Sequence, residues 1–310
     1  MARPSVNPLV TACRAGLLDR RGHARLSQDP FSGRVAVITG AGSGIGRALA
    51  LDLACRGAVL AVSDIDVVGL GETERECSTI GATVRKDTID VTDRDAMSTY
   101  ANDVAAQFGQ VNLLFNNAGI IFTGDITQSS YDDLRRVIDV DFWGVVHGTK
   151  AFLPHLIASG AGHLINISSA YGLISAPSYS AYNAAKFAVR GFTEAIQQEM
   201  KAAGHPIQVS CVYPGAVRTF ILRTSRCADG QDHAAINELF DKMARTEPEQ
   251  AAGTILRGVQ AGRGRILVGP DALAADLLAR LTATGYQQLF QLARYLNQRQ
   301  KDRNPVRTER

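Results

Sequence analysis

The chain has 310 residues, 45% of them hydrophobic, enough to bury the core of one large domain. Its 33 Lys and Arg against 30 Asp and Glu leave a net charge of only +3 with no block of like charge, which excludes a nucleic-acid partner. No apolar run reaches the roughly 18 to 20 residues that span a bilayer, so the composition is that of a soluble globular protein without a transmembrane segment.

The five cysteines are odd in number, scattered and in no C-x-x-C pair, which argues against a disulfide framework or a zinc site and for a reducing, cytoplasmic setting. Residues 1–33 are rich in arginine and poor in acids, a composition shared by organellar transit peptides and by flexible or partly helical extensions, of which the extension is expected. From Arg34 onward short β-branched runs alternate with longer helical stretches. The runs "RVAVIT", "AVLAVS", "TVRKD", "NLLFN", "HLINIS", "IQVSCVY" and "RILVG" read as strands, several of them apolar throughout as in strands buried on both faces.

Between them, residues 44–56, 92–108, 131–158, 179–203 and 248–260 read as helices, with Thr92 and Ser130 as caps. This is the pattern of an α/β domain over residues 34–270, a parallel sheet flanked by helices on both faces, with a substrate loop at about 216–247. Residues 271–310 read as a helical extension and tail, in which Tyr286, Leu289, Phe290, Ala293 and Leu296 share one helix face. That face packs on the chain's own core, on a second subunit, or on a membrane surface as a peripheral contact.

In "VITGAGSGIGRALA" a strand runs into a helix through glycines at 40, 42, 44 and 46. Glycine permits positive φ and close approach of backbone to a pyrophosphate, while the helix offers unpaired N–H groups and a positive dipole end. Asp64, 24 positions after Gly40, ends the second strand, where a carboxylate either accepts from an adenosine ribose or caps the next helix, a task open also to Asp66. A carboxylate there repels a 2′-phosphate, and neither Ser43 nor Ile65 supplies a positive charge to welcome one, so NAD is expected over NADP.

"TGAGSGIG", "NNAG" at 116–119, "NISS" at 166–169, "YNAAK" and "PG" at 214–215 follow one another in an order that resembles the short-chain dehydrogenase/reductase family, in its single-domain branch. The resemblance covers roughly residues 34–270 and implies a Rossmann-type doubly wound fold. It implies NAD held by Gly40, Ser43, Gly44, Ile45 and Gly46 under the first turn and by Asp64 at the ribose. Asp90 and Val91 become adenine contacts; Asn117, Ala118 and Gly119 form a wall beside the cofactor, unless Asn117 only ties strands. Pro214, Gly215, Val217 and Thr219 stand on the nicotinamide side. Helices 131–158 and 179–203 resemble the family's subunit contacts, implying a homodimer or homotetramer.

In "SAYNAAK" a tyrosine stands four positions before a lysine, with Tyr179 just upstream. Hydride transfer from an alcohol requires an acid/base near working pH, and a free phenol titrates near 10. An ammonium about 5 Å away, at an effective dielectric of about 20, favours phenolate by roughly 3 kcal/mol, or about two pKa units. Lys186 lies one helical turn beyond Tyr182 but two turns beyond Tyr179, which makes Tyr182 the acid/base. Tyr182 and Lys186 then also border the cofactor, with Lys186 on its ribose. Ser169 resembles the family's catalytic serine, holding the substrate oxygen; Ser168 is the competing choice.

Asp141 stands where the family has an asparagine, the fourth member of its proton-relay set and a support for a helix distortion. An ionised carboxylate there offsets the Lys186 charge and raises the Tyr182 pKa. The substrate side carries Ile120, Ile121, Phe122, Tyr171, Leu173, Ile174, Phe220, Ile221 and Leu222, a set suited to a small hydrophobic alcohol or ketone. Arg218, Arg223 and Arg226 read as solvated arginines in a mobile lid. The expected activity is an NAD-dependent oxidoreductase; the alternative is a non-catalytic NAD(H)-binding sensor on the same fold. A sugar-nucleotide epimerase shares YxxxK but ordinarily has a different glycine spacing. His147, His155 and His163 lack any accompanying ligand motif, so no metal is expected.

Overall fold

Strands buried on both faces need no alternation of polar and apolar residues, and the apolar runs assemble accordingly into the middle of one parallel sheet. The computed structural model describes residues 29–291 except 220, 222–224, 229, 230 and 289. The sheet contains β1 (Val35–Thr39), β2 (Val59–Asp64), β3 (Val84–Thr88), β4 (Leu113–Asn116), β6 (Gly162–Ile167), β7 (Ile207–Pro214) and β9 (Arg265–Val268). Their order is β3-β2-β1-β4-β6-β7-β9, every neighbour parallel. Within this sheet only β3, at one edge, has no fully buried residue. Two further strands, β5 (Phe122–Thr123) and β8 (Arg226–Cys227), pair apart from the sheet. Connections leave β1 and β4 in opposite directions, so a crevice opens between their carboxyl ends.

Helices α1 (Gly44–Cys55), α2 (Val67–Ile80) and α8 (Pro248–Gln260) cover one face; α3 (Arg94–Phe108), α5 (Gly144–Ala158) and α6 (Ser180–Ala202) cover the other. On the first face Ala48, Leu49 and Leu51 of α1 belong to one cluster with Ala251, Ile255 and Leu256 of α8. On the second, Met97, Tyr100 and Val104 pack with Phe152, Leu156 and Ile196. Each such large side chain contributes roughly 1.5 to 3 kcal/mol by leaving water.

The remaining helices are α4 (Tyr131–Ile138), α7 (His233–Met243) and α9 (Pro270–Thr282). The helix expected over 131–158 is broken: α4 ends, Asp139–Trp143 form a π-helical turn, and α5 begins at Gly144. Ser130 caps α4 as expected, whereas α3 is capped by Asp93, not Thr92, its carboxylate accepting from Asp95 and Ala96 N–H. Two helices were not foreseen. In α2, Gly69 and Gly71 mask the helical period, yet a Cβ at Gly69 would lie 2.5 Å from Gly42 O, so the glycine lets α2 pass the cofactor turn. In α7 no residue is fully buried, which leaves little periodic signal.

Of the expected amino-terminal extension, residues 29–33 are described and form a turn against the core, with Phe31 buried beneath the Arg56 guanidinium, 5.4 Å from its ring centre. Cys55 is disulfide-bonded, which its isolation in sequence did not suggest because chain separation does not limit spatial pairing; Cys77, Cys211 and Cys227 are free. At the other end Tyr286 is buried among Ala170, Ile174, Ala272 and Ala275, with Phe290 packed edge-on against it at 6.2 Å. These two residues therefore face the chain's own core, not a membrane; Leu289, Ala293 and Leu296 lie outside the described residues. Among the described residues no helix is long and apolar enough to cross a membrane.

Candidate active site

The turn after β1 is stitched to the end of β4. Thr39 Oγ1 accepts from the N–H groups of Asn117 and Ala118 at 3.0 and 3.1 Å, and the Asn117 amide donates back to Thr39 O and Gly40 O at 2.9 and 3.1 Å. The Asn117 side chain is thus a strand tie, while Ala118 and Gly119 continue along the crevice. Gly40 has φ +66°, and a Cβ on it would lie 2.7 Å from Ala118 Cα; one on Gly46 would lie 2.1 Å from Gly40 O. No larger residue fits either position. Ser43 opens α1 without a side-chain cap, so its hydroxyl leaves the first-turn N–H groups to another acceptor. Ile45 packs on the core, and Thr219 reaches the turn from the far side, 3.0 Å from where a Gly44 Cβ would stand.

Asp64 ends β2 with its carboxylate turned to the same turn, accepting from Gly42 N–H at 2.7 Å and Asp66 N–H at 2.9 Å. The capping role falls to Asp66, which accepts from Val68 N–H, and Asp64 is left at the crevice. Arg47, overlooked in the sequence, donates to Gly42 O and Gly69 O and pairs with Glu72 at 3.0 Å. Its charge is committed to bracing the turn. Asp90 accepts from the Thr92 N–H and hydroxyl; Val91 packs beneath Gly144 and its carbonyl lies 3.1 Å from His147 Nδ1. Pro214 ends β7, the Gly215 N–H donates to Val268 O, and Val217 bridges to Thr246. Gly-only spaces, an uncapped helix start and the Asp64 carboxylate form a cradle that fits a dinucleotide.

Helix α6 carries the tyrosine and lysine of the expected site. Tyr182 and Lys186 are both buried on its inner face, with the ammonium 5.5 Å from the centre of the Tyr182 ring. The π-helical turn presents Asp141 to the same point: its carboxylate accepts from Ile120 N–H at 2.7 Å and pairs with Lys186 Nζ at 3.0 Å, where the side chains are 0% and 4% exposed. Lys186 also donates to Ile167 O at 3.3 Å. Gly119 lies over the pair, since a Cβ on it would be 3.3 Å from both Asp141 Oδ2 and Lys186 Nζ.

Burial pushes the Tyr182 phenol up; Lys186 and a hydrogen bond with Ser169 pull it down, Asp141 raises it further, and the result lies above the ordinary value. Lys186 thus acts in the expected direction, and so does Asp141; desolvation, the largest cause, decides the net rise. Burial opposes the Lys186 ammonium, but Asp141 and Tyr182 outweigh it and hold its pKa high. Burial likewise holds the Asp141 carboxyl up, against the pull of Lys186 and the Ile120 N–H.

The two candidate serines differ in their hydroxyl partners. Ser168 donates to Lys186 O at 2.8 Å and is spent on the helix, whereas Ser169 accepts from Tyr171 N–H at 3.1 Å and lies beside Tyr182. The Tyr179 ring packs against Tyr171, with ring centres 5.4 Å apart. Around Tyr182 gather Ile120, Ile121, Phe122, Tyr171 and Ile221, joined by Ile236 and Phe240 of α7. Leu173 and Ile174 do not line this space: Leu173 packs with Cys211 and Tyr213, and Ile174 with Tyr286, because the loop turns them toward β7 and α9. Phe220, Leu222 and Arg223 lie outside the described residues. Arg218 pairs with Glu247 at 2.7 Å and Arg226 with Asp133 at 3.5 Å, and both side chains are solvated, 54% and 67% exposed. His155 lies 3.3 Å from Asn102 and His163 2.7 Å from Ser210, and no cluster of three metal-binding side chains occurs among the described residues.

A glycine turn at the sheet's switch point, beside a buried Ser–Tyr–Lys set, defines a nucleotide-dependent oxidoreductase of the doubly wound α/β class. Residues 34–229 match the short chain dehydrogenase family, and the chain belongs to it. It is 55% identical over 260 residues to the protein named as oxidoreductase SadH of Mycobacterium tuberculosis, covering 84% of this chain and 94% of that one. It is 30% identical over 244 residues to human estradiol 17-beta-dehydrogenase 11, covering 78% and 77%. A short-chain dehydrogenase/reductase from Burkholderia phymatum in complex with NAD superposes with a TM-score of 0.76 at 32% identity, over 82% of this chain and 95% of that one. A metagenomic short-chain oxidoreductase in complex with NADP gives 0.63 at 30%, over 77% and 97%.

Proposed function

We propose that this chain is an NAD-dependent dehydrogenase/reductase acting on the CH–OH group of a hydrophobic secondary alcohol or its ketone. The observation that carries the reading is the buried Tyr182 beside Ser169, with the Lys186 ammonium 5.5 Å from its ring centre and the Lys186–Asp141 pair behind it. Bound NAD supplies the hydride acceptor. In the oxidation direction Ser169 donates to the substrate oxygen, and Tyr182 takes the proton that must leave as the hydride departs. Lys186 favours the phenolate form and Asp141 opposes it. The apolar side chains around Tyr182 support a hydrophobic substrate, and the likeness to an estradiol dehydrogenase supports a secondary alcohol.

The preference for NAD is supported by Asp64, whose carboxylate would meet a 2′-phosphate, and by the commitment of Arg47 to backbone carbonyls and Glu72. Exposed Tyr131, Trp143 and Phe187 on the α4–α5 and α6 surfaces support a homodimer or homotetramer. One observation favours the alternative of a non-catalytic NAD(H) sensor: Asp141 offsets the charge that Tyr182 needs.

The test is nicotinamide absorbance with purified protein, NAD and NADP in turn, against aliphatic, aromatic and steroid alcohols, with Tyr182→Phe alongside. NAD-linked turnover that the variant loses is expected. Equal turnover with NADP rejects the preference, and tight NADH binding with no turnover on any alcohol favours the sensor.

A further inference from the structure

The segment following the last strand lies beyond the residues that match the family, yet it grips two loops of the site. Gly269, at φ +92°, and Pro270 start α9 so that Asp271 falls in its first turn, where a carboxylate is favoured by the helix dipole. That carboxylate turns back over the end of β7 and accepts from Ala216 N–H. It fills the space above Gly215 so closely that a Cβ there would stand 2.1 Å from both of its oxygens. The glycine of the "PG" pair is therefore required by Asp271, whatever else it does.

Further along, Tyr286 is buried against Ala170 and Ile174, and its hydroxyl accepts from Ser175 N–H at 3.1 Å. Ser175 lies in the loop that runs from Ser169 to Tyr182. One continuous segment thus holds the turn on the nicotinamide side through Asp271 and the serine-to-tyrosine loop through Tyr286, while Ala272 and Ala275 of α9 pack in the cluster that contains Tyr286.

We propose that residues 270–288 form a carboxyl-terminal brace, in which Asp271 and Tyr286 are positioning residues that preset the two loops framing the nicotinamide and the substrate. Preset loops leave less ordering to be done when ligands bind, so the brace acts on binding and on geometry without touching the reacting atoms. The proposal deepens the dehydrogenase reading and rests on it for what the loops hold.

The test measures amide hydrogen exchange of the full chain, without nucleotide or substrate, together with NADH affinity by fluorescence. Asp271→Ala is expected to speed exchange in residues 214–219 alone and to weaken NADH fivefold or more, whereas Asp271→Asn, which keeps an acceptor oxygen, restores affinity to within about twofold. Tyr286→Phe is expected to speed exchange in residues 173–178 and to leave 214–219 and NADH affinity as they were. Leu277→Ala, on the exposed side of α9, is the control and changes neither. Exchange that stays at the wild-type rate in both loops, or rises evenly through the fold, overturns the brace. So does faster exchange at 214–219 with NADH affinity unchanged. Absence of NADH binding by the wild type instead strikes the dehydrogenase reading, and the exchange pattern still decides for or against the brace.

Discussion

Two opposite charges 3.0 Å apart, almost out of reach of water, give Asp141 and Lys186 a strong hold on each other and on the neighbouring phenol. Replacing Asp141 by asparagine keeps an oxygen for the Ile120 N–H and removes one negative charge. Because Asp141 raises the Tyr182 pKa, the variant lowers it, and the limb of the oxidation pH profile that reports the phenol moves toward acid. Turnover measured from pH 6 to 10 checks it, and coincident profiles for the two proteins reject it. Much of the site is readable at this scale, since Tyr182 and Lys186 must lie one helical turn apart and Gly46 admits no side chain. What cannot be read is partnership across distant chain. Neither the Asp141–Lys186 separation, nor Arg47 reaching Gly69 O, nor Asp271 over Gly215 has any local pattern to announce it.

Among elements, the strands were legible because burial on both faces leaves unbroken apolar runs, while α2 and α7 were not, the one for its glycines and the other for its exposed setting. The join between β6 and β7 contains a polar contact with its own pH dependence. His163 lies 2.7 Å from Ser210 Oγ, and since that hydroxyl donates to Arg263 O, the imidazole donates through Nε2. Burial, with a smaller effect from Arg34, lowers its pKa to about 4 from 6.5. The unfolded chain therefore binds a proton that the folded chain refuses between those values. Stability is greatest above about pH 6.5 and falls as pH drops toward 4, by up to about 3 kcal/mol from this group. Urea unfolding at pH 7.5 and 5 reads the loss, and His163→Leu is expected to lower stability at neutral pH but flatten its acid decline. An equally steep decline in the variant assigns the effect elsewhere.

For the molecule as a whole, the exposed aromatic surface of α4, α5 and α6 leads to the expectation that light scattering gives a mass of two or four chains at micromolar concentration; the mass of one chain rejects it. The same scale sets the order in which the fold can be completed. Helix α1, which begins at the glycine turn, is buried against α8, and the two are separated by about 200 residues of chain. A ribosome adding about 5 to 20 residues per second takes roughly 10 to 40 s to make that interval. Throughout it Leu49 and Leu51 have emerged while Ile255 and Leu256 do not yet exist, so the nascent protein presents this apolar surface to chaperones. A chain released before residue 248 would carry the glycine turn, Tyr182 and Lys186, but no cover for the helix on which the turn depends.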